Sequence, residues 1–323
     1  KQYFEEKSKL IQRIKNILDS GQYVGGDEVK KFENKISSFL KVKHCIALNS
    51  GTDALTLGLY ALGVKKGDEV ITTSNSFIAS TSVIVHLGAI PVFVDVKKDQ
   101  NIDPNLIEKA INSRTKAIMP VHLTGRVCDM DPILKISKKH NIPVIEDAAQ
   151  AIGSKYNGRF SGTFGTIGCF SAHPLKNLNA LGDSGYLTTN SSRIAKLILD
   201  LRNHGMTNRN IVRNFGYVSR MDNLQAGILN FRLERLKDVI LRRRKNVKLY
   251  LKNLNRKFIF IPEETKKEYN TYHTFVIQVS KRDYLKSYLK KNGVETAIHY
   301  PTPIHLQPAY KKLKFGKNYL PET

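Results

Sequence analysis

From residue 44 to residue 147, apolar strand-like runs alternate with helical patterns at a regular spacing, and this alternation limits the fold more than any other feature. Residues 44–50, 68–73, 91–96, 117–121 and 143–147 read as strands. A helix opens at 51–55, a second is entered through 76–80 and runs to about 87, and residues 107–111 and 131–140 read as the other helices between them. Strands that alternate with helices in this way predict a mostly parallel α/β sheet covered by helices on both faces. Two amphipathic helices precede it. Phe4, Ile11, Ile14 and Leu18 share a face of the first, a glycine-containing break follows at 21–26, and Asp27 caps the second, with Val29, Phe32 and Ile36 facing inward. Beyond the sheet, one long helix is expected over 222–254, with Leu229, Leu233, Leu236 and Ile240 on one face. Strands at 258–261 and 272–279, a helix at 282–292 and a final run at 297–300 complete a smaller α+β unit.

A chain of 323 residues suits one large and one small domain, and the pattern divides them at 1–225 and 226–323. The net charge of +24 admits nucleic acid as a partner, but the basic residues are dispersed. The densest cluster, 242–245, falls on a helical pattern, and no zinc-finger spacing, aromatic RNA-binding motif or basic zipper occurs. A solvated basic surface and attraction of anionic small molecules such as nucleotide diphosphates are the favoured readings, with nucleic acid not expected. Cys45, Cys128 and Cys169 are odd in number and not spaced as metal pairs, so no metal and a reducing, cytoplasmic setting are expected. The first ten residues are charged throughout and do not read as a signal peptide. No apolar run approaches the length of a membrane span.

The chemistry concentrates in 165–190. A strand there turns at His173 and Pro174, presents Lys176, passes Gly182 and Gly185, and re-enters a strand at 186–189. A lysine held on a tight turn between buried strands has a lowered pKa and a free amine suited to imine chemistry. A plain surface lysine is the competing reading. Upstream, the strand 143–147 ends on Asp147, followed by small Ala148 and Ala149 and by Gln150. A carboxylate at the end of a buried strand needs a positive partner. A protonated pyridine nitrogen is one such partner, and backbone amides or an arginine are the structural alternative. Residues 49–55, Asn-Ser-Gly-Thr-Asp-Ala-Leu, form a strand–glycine–helix turn whose free N–H groups suit an anion, with the Thr52 hydroxyl beside Gly51. No Gly-Lys-Ser/Thr ending marks a nucleotide-triphosphate loop. Phe77 falls just past a strand end, where α/β folds bind ligands, although a core phenylalanine reads the same way.

Taken in order, Asn-Ser-Gly-Thr-Asp-Ala-Leu (49–55), Ser-Phe-Ile-Ala-Ser (76–80), Glu-Asp-Ala-Ala-Gln-Ala (146–151), Phe-Ser-Ala-His-Pro-x-Lys-Asn-Leu (170–178), Gly-Asp-x-Gly (182–185), Arg-Met-Asp-x-Leu-Gln-Ala (220–226) and His-Tyr-Pro-x-Pro-x-His-Leu-Gln (299–307) resemble the DegT-type sugar aminotransferases along nearly the whole chain. The resemblance implies a type I aminotransferase fold: a mostly parallel seven-stranded sheet between helices, plus a smaller α+β C-terminal domain. It implies pyridoxal 5'-phosphate as cofactor, with pyridoxamine 5'-phosphate formed in turnover. Lys176 would hold the cofactor as an imine and then shuttle the proton. Asp147 would pair with the pyridine nitrogen, Phe77 would cover the ring, Gln150 would reach its phenolic oxygen, and Gly51, Thr52 and Ser171 would bind the phosphate. His173, His204, Tyr217, Arg220, Tyr300 and His305 are candidates for sugar or nucleotide contacts, with packing roles as the alternative. The family works as homodimers with shared active sites, so the loop carrying Tyr217 and Arg220 is expected to reach the neighbour's site.

The implied reaction is transfer of an amino group from glutamate to a keto sugar carried on a nucleotide diphosphate, of the kind that supplies bacterial surface polysaccharides. Gly-Tyr-Val-Ser-Arg-Met-Asp (216–222) resembles the subgroup that aminates dTDP-linked 3-keto-6-deoxyhexoses. Two departures from the family stand out. Val218 occupies a position where many members have an asparagine that helps bind the partner's cofactor phosphate. The family also usually continues past residue 323 with a strand and a helix, so the smaller domain is expected to be short or incomplete. The rival readings are amination of a 4-keto sugar, a dehydratase using the same cofactor (in which a histidine replaces the lysine), and a non-catalytic cofactor- or nucleic-acid-binding protein.

Overall fold

The computed structural model describes residues 2–313 and 320–323. Seven strands among them build the central sheet: β1 (His44–Leu48), β2 (Glu69–Thr72), β3 (Ile90–Phe93), β4 (Thr115–Ile118), β5 (Ile145–Asp147), β6 (Ile167–Ser171) and β7 (Gly185–Thr189). Their spatial order is β3-β2-β4-β5-β6-β7-β1. Strands β3, β2 and β4 pair in parallel, and so do β5 and β6. The parallel bridges Ile118–Val144 and Val121–Asp147 join β4 to β5. Only β7 runs antiparallel to its neighbours β6 and β1. The expected mostly parallel seven-stranded sheet is therefore present.

The apolar runs place core on both faces. On one face, helix α3 (Gly51–Ala61) packs Leu55 and Leu59 against Ile46, Ile145 and Leu187. On the other, α2 (Asp27–Leu40) seats Phe32 and Ile36 against Phe170 and Tyr186, whose rings stack at 4.8 Å. Helix α1 (Gln2–Ser20) buries Leu10 and also Glu6, at 4% exposure. A buried carboxylate is costly without a partner. Here the Arg232 Nη2 and Arg235 Nη1 groups donate to Glu6 at 3.0 and 2.8 Å, which ties α1 to the body.

The C-terminal third differs from expectation in two ways. The long helix over 222–254 is two helices, Asn223–Glu234 and Leu236–Asn253, broken at Arg235 (φ −100°, ψ −3°). The first is buried on most of its surface and packs Ile228 and Phe231 toward α1. The bend then lets Leu236 and Ile240 join Leu229 in the core shared with α2. The strands expected at 258–261, 272–279 and 297–300 do not form. Only Phe260 and Gln278 exchange backbone hydrogen bonds, at 2.9 Å each way. Strand-forming side chains become a strand only when a second strand accepts a continuous ladder, and among the described residues these runs find only isolated backbone bonds, Phe260–Gln278 and Thr271 and Thr274 to the 124–125 segment. The expected helix is present at Arg282–Lys291, with none of its residues buried.

Candidate functional site

The carboxyl ends of the parallel strands converge at one edge of the sheet, where open α/β folds hold ligands. Asp147 ends β5 and is 6% exposed. The Ala149 N–H donates to its Oδ1 at 3.2 Å, and the Ser80 hydroxyl donates to its Oδ2 at 2.8 Å. Among the described residues no arginine or lysine lies within ion-pair distance of it. Its neighbour Glu146 points the other way and is fully buried. It accepts from the N–H groups of Gly162 and Gly165 at 2.7 and 2.6 Å and faces His122 Nε2 at 2.9 Å. Because His122 Nδ1 accepts from the Cys128 N–H, the ring proton lies on Nε2 and is donated to Glu146. Of the two carboxylates at this strand end, Glu146 is thus fully occupied by protein donors, and Asp147 keeps capacity for a cation.

Lys176 sits on the turn after β6, closed by its N–H donating to the His173 carbonyl at 2.8 Å. Burial holds the amine below its ordinary range, against the opposing pull of Asp147. A lysine in this state has a free-amine population that a solvated lysine lacks.

The anion turn is built by close backbone approach. Ser50 caps α3, its Oγ accepting from the Asp53 N–H at 3.0 Å, which leaves the N–H groups of Gly51 and Thr52 at the open end of the helix. A Cβ on Gly51 would stand 2.7 Å from Ser171 Cβ. One on Gly185, the first residue of β7, would stand 2.2 Å from the Ser50 carbonyl carbon. Helix α3, β6 and β7 therefore meet with no room for side chains at these two positions.

Phe77 is 57% exposed at the mouth of the site, with its ring centroid 6.4 Å from that of Tyr300. Gln150 is oriented from both ends: its Oε1 accepts from the Thr124 N–H at 2.7 Å, and its Nε2 donates to the Tyr300 hydroxyl at 3.1 Å. Tyr300 is thereby brought to the cofactor side chains. Of the other candidates, His173 lies on the Lys176 turn itself, its N–H donating to Ser171 Oγ at 3.3 Å and its carbonyl accepting from the Lys176 N–H. His173 is exposed and accepts the Leu175 N–H on Nδ1 at 3.3 Å, a bond within its own turn. His305 Nδ1 meets Ser74 Oγ at 2.7 Å and braces the segment after β2. His204, Tyr217 and Arg220 lie on one loop, in which the His204 N–H donates to the Tyr217 carbonyl and Arg220 donates to Asn203, and the buried Ser219 hydroxyl ties that loop to Asp53 in the first turn of α3 at 2.6 Å. Val218 is 60% exposed in that loop and presents no polar side chain.

Several residues here have no counterpart in the sequence reading. Ser80, fully buried, holds Asp147. The segment 270–274 walls the Lys176 turn through Asn177, whose Nδ2 donates to the Thr271 carbonyl at 3.4 Å. Burial, reinforced by the charges of Lys176, Arg243 and His299, pushes the His273 imidazole down to about 3, and its Nδ1 is buried without a protein partner. Burial and Lys176 also lower His299. Ser80 closes the 76–80 motif and so carries a sequence signal, whereas His273 lies in a run of strand composition that hides it. A cavity of about 280 Å³ opens behind this wall, bordered by Thr124, Tyr272, Thr274 and His299. None of Gly51, Asp147 and Lys176 lines it, so it is not where these three converge.

Comparison with known proteins agrees with this geometry. Residues 5–323 match the DegT/DnrJ/EryC1/StrS aminotransferase family. The chain belongs to that family. It is 44% identical to the dTDP-3-amino-3,6-dideoxy-alpha-D-galactopyranose transaminase of Aneurinibacillus thermoaerophilus, over 95% of this chain and 85% of that protein. It is 40% identical to the UDP-2-acetamido-2-deoxy-3-oxo-D-glucuronate aminotransferase of Pseudomonas aeruginosa, over 94% of this chain and 85% of that one. The crystal structure of S. venezuelae DesV in complex with a ketimine intermediate superposes with a TM-score of 0.95 at 37% identity, covering 99% of this chain and 87% of that one. The type I aminotransferase fold is thus established, and the enzyme is a pyridoxal-phosphate-dependent aminotransferase. The residues present fit that cofactor: a glycine cradle at a helix N-terminus for a phosphate, a buried carboxylate without a protein cation, and a lysine with a lowered pKa beside it.

Proposed function

We propose that this enzyme transfers an amino group from glutamate to the C3 keto group of a nucleotide-diphosphate-linked sugar, with a dTDP-linked 3-keto-6-deoxyhexose as the substrate. The observation that carries the reading is the pairing of Lys176, its amine held down by burial, with the cation-free carboxylate of Asp147 at the same strand edge. The choice of carbon is supported by the two relatives described above, whose names place the amino or oxo group at position 3 on a dTDP and a UDP sugar.

Pyridoxal phosphate, when bound, supplies a ring that withdraws electrons from the carbon bearing the nitrogen. The chain's residues do the rest. Lys176 Nζ takes the proton from Cα of glutamate and returns one in the sugar half-reaction, acting as general base and then general acid. Asp147 would hold the ring nitrogen, and Gln150, fixed by Thr124 and Tyr300, would reach the phenolic oxygen. Phe77 covers the open face and limits water. The N–H groups of Gly51 and Thr52, with Ser171, would take the phosphate at the positive end of α3.

A second copy of the chain completes the unit in this reading. The surface loop exposes Ile211, Val212, Tyr217, Val218 and Phe215, the last at 98%. An apolar run of this kind is a contact surface rather than a solvated loop. In this reading residues 1–225 belong to the cofactor-binding domain, and because Ala226, Leu229, Leu236 and Ile240 share its core, the smaller domain begins beyond Ile240 rather than at 226. Three buried, unpaired cysteines suit a reducing cytoplasm, and among the described residues no helix is long and apolar enough to cross a membrane.

The test is incubation with glutamate and, separately, dTDP-linked 3-keto, dTDP-linked 4-keto and UDP-linked 3-keto sugars, read by product mass and NMR. An amine at C3 of the dTDP sugar is expected. An amine at C4, or turnover confined to the UDP sugar, would overturn the substrate assignment.

A further inference from the structure

We propose that Ser76 and Ser80 form a one-way hydroxyl relay that fixes the Asp147 carboxylate in the orientation its role requires; this rests on the reading of Asp147 given above. Three buried oxygens line up. Ser76 Oγ is 2.7 Å from Ser80 Oγ, and Ser80 Oγ is 2.8 Å from Asp147 Oδ2. Ser76 is 4% exposed, Ser80 is fully buried and Asp147 is 6% exposed.

The direction of the chain follows from proton counting. A carboxylate only accepts, so the bond to Asp147 uses the single proton of Ser80. The Phe77 carbonyl at 3.2 Å is the competing acceptor, but a hydrogen bond to a charged group is roughly twice as strong as one between neutral groups. With its proton committed, Ser80 can only accept from Ser76. Ser76 therefore donates to Ser80, and Ser80 donates to Asp147.

The consequence is positional. The Ala149 N–H holds Oδ1 and Ser80 holds Oδ2, so the carboxylate plane is pinned from both sides. Neither donor carries a charge, so neither neutralises the group that is to face the ring nitrogen. The same turn carries Phe77 between the two serines, and the Ser80 N–H donates to the Phe77 carbonyl at 3.2 Å. The ring-covering side chain and the support of the ring-nitrogen partner thus move as one piece. Ser76 and Ser80 are positioning residues: they act through Asp147.

The experiment compares Ser80→Ala, Ser80→Thr, Ser76→Ala and the double alanine variant. Cofactor affinity is measured by fluorescence titration of the stripped protein, and the pH dependence of the loaded protein's absorption is recorded. Ser80→Ala is expected to fold normally by circular dichroism, to bind pyridoxal phosphate about tenfold or more weakly, and to shift the absorption–pH profile. Ser80→Thr should recover most of both. Ser76→Ala should show a smaller effect, and the double variant should be no worse than Ser80→Ala, because two residues acting in series are not additive. Wild-type affinity and an unshifted profile in Ser80→Ala would overturn the relay. So would equal damage in Ser80→Ala and Ser80→Thr, which marks packing, or full additivity in the double variant. Asp147→Asn separates the two levels. If it binds cofactor with wild-type affinity and an unshifted profile, the reading of Asp147 falls. If it is impaired while Ser80→Ala is not, only the relay falls.

Discussion

Two glycines in one motif should respond unequally to the same methyl group, one damaged and one nearly unaffected. In Gly185→Ala the new Cβ would lie 2.2 Å from the Ser50 carbonyl carbon and 2.4 Å from Gly51 N, both backbone atoms. Carbon contacts settle near ~3.5 Å, so β7 and the start of α3 must part by roughly 1 Å. Overpacking of this kind costs about 1–3 kcal/mol of stability. The same displacement carries the Gly51 N–H from a ~2.9 Å hydrogen bond with the phosphate to about 3.9 Å, beyond bonding range. Losing one bond to a charged group weakens binding by about 1.5–3 kcal/mol, roughly 10- to 150-fold in Kd. In Gly182→Ala, three residues earlier, the nearest atom is Gln225 Nε2 at 3.1 Å, the end of a flexible side chain. That variant should stay within about 0.5 kcal/mol of wild type. The assay is fluorescence titration of the stripped protein with pyridoxal phosphate, paired with urea denaturation. Wild-type affinity in Gly185→Ala, or equal damage in Gly182→Ala, would refute the close-approach argument.

Asp147→Asn keeps an oxygen for Ser80 to bond but removes the charge, so kcat should fall by at least ~10²-fold, on the order of 3 kcal/mol of barrier; near-normal turnover would reject the role of the carboxylate. The His273 imidazole titrates at about 3 in the folded chain against an ordinary 6.5, so on acidification the unfolded state takes up its proton first. Its contribution is therefore present above about pH 6.5 and is lost as pH falls toward 3, at no more than about 1.4 kcal/mol per pH unit. Urea denaturation at about pH 7.5 and about pH 5 should show a smaller acid loss in His273→Gln than in wild type, and equal losses would contradict the burial argument. Phe215→Asp should dissociate the proposed dimer in sedimentation and lower activity with it; a wild-type monomer that turns over would sink the shared-site reading.

The residues legible in the sequence were those whose role follows from a position on a strand end or a turn. Asp147 was readable because a carboxylate closing an apolar run has to find a positive partner, and Lys176 because the glycines and proline around it force a turn. The alternation over 44–147 likewise carried the sheet, since each apolar run has its helix beside it. What stayed hidden depends on which elements meet. Ser80 serves Asp147 only because β2 leads into α4 (Ala79–His86) above the end of β5, a crossing that no local pattern encodes. His273 sits in a run with strand composition that makes only isolated backbone bonds, to Thr124 and Phe260, and no ladder among the described residues, so periodicity misassigned the backbone and the Lys176 wall along with it. The break at Arg235 was invisible because a helical stripe continues through it, from Leu229 to Leu236 and Ile240, all in one core. His173 and His305 looked available for substrate as sequence, and in the structure each already has a partner in or near its own loop.

The central claim is that one lysine out of many carries the chemistry. Borohydride treatment of the enzyme loaded with pyridoxal phosphate, followed by digestion and peptide mass mapping, tests it most directly. The account predicts a single pyridoxyl label on Lys176, and a Lys176→Ala variant that binds the cofactor but is neither labelled nor able to transfer an amino group. A label on any other lysine, or transamination by Lys176→Ala, would contradict it.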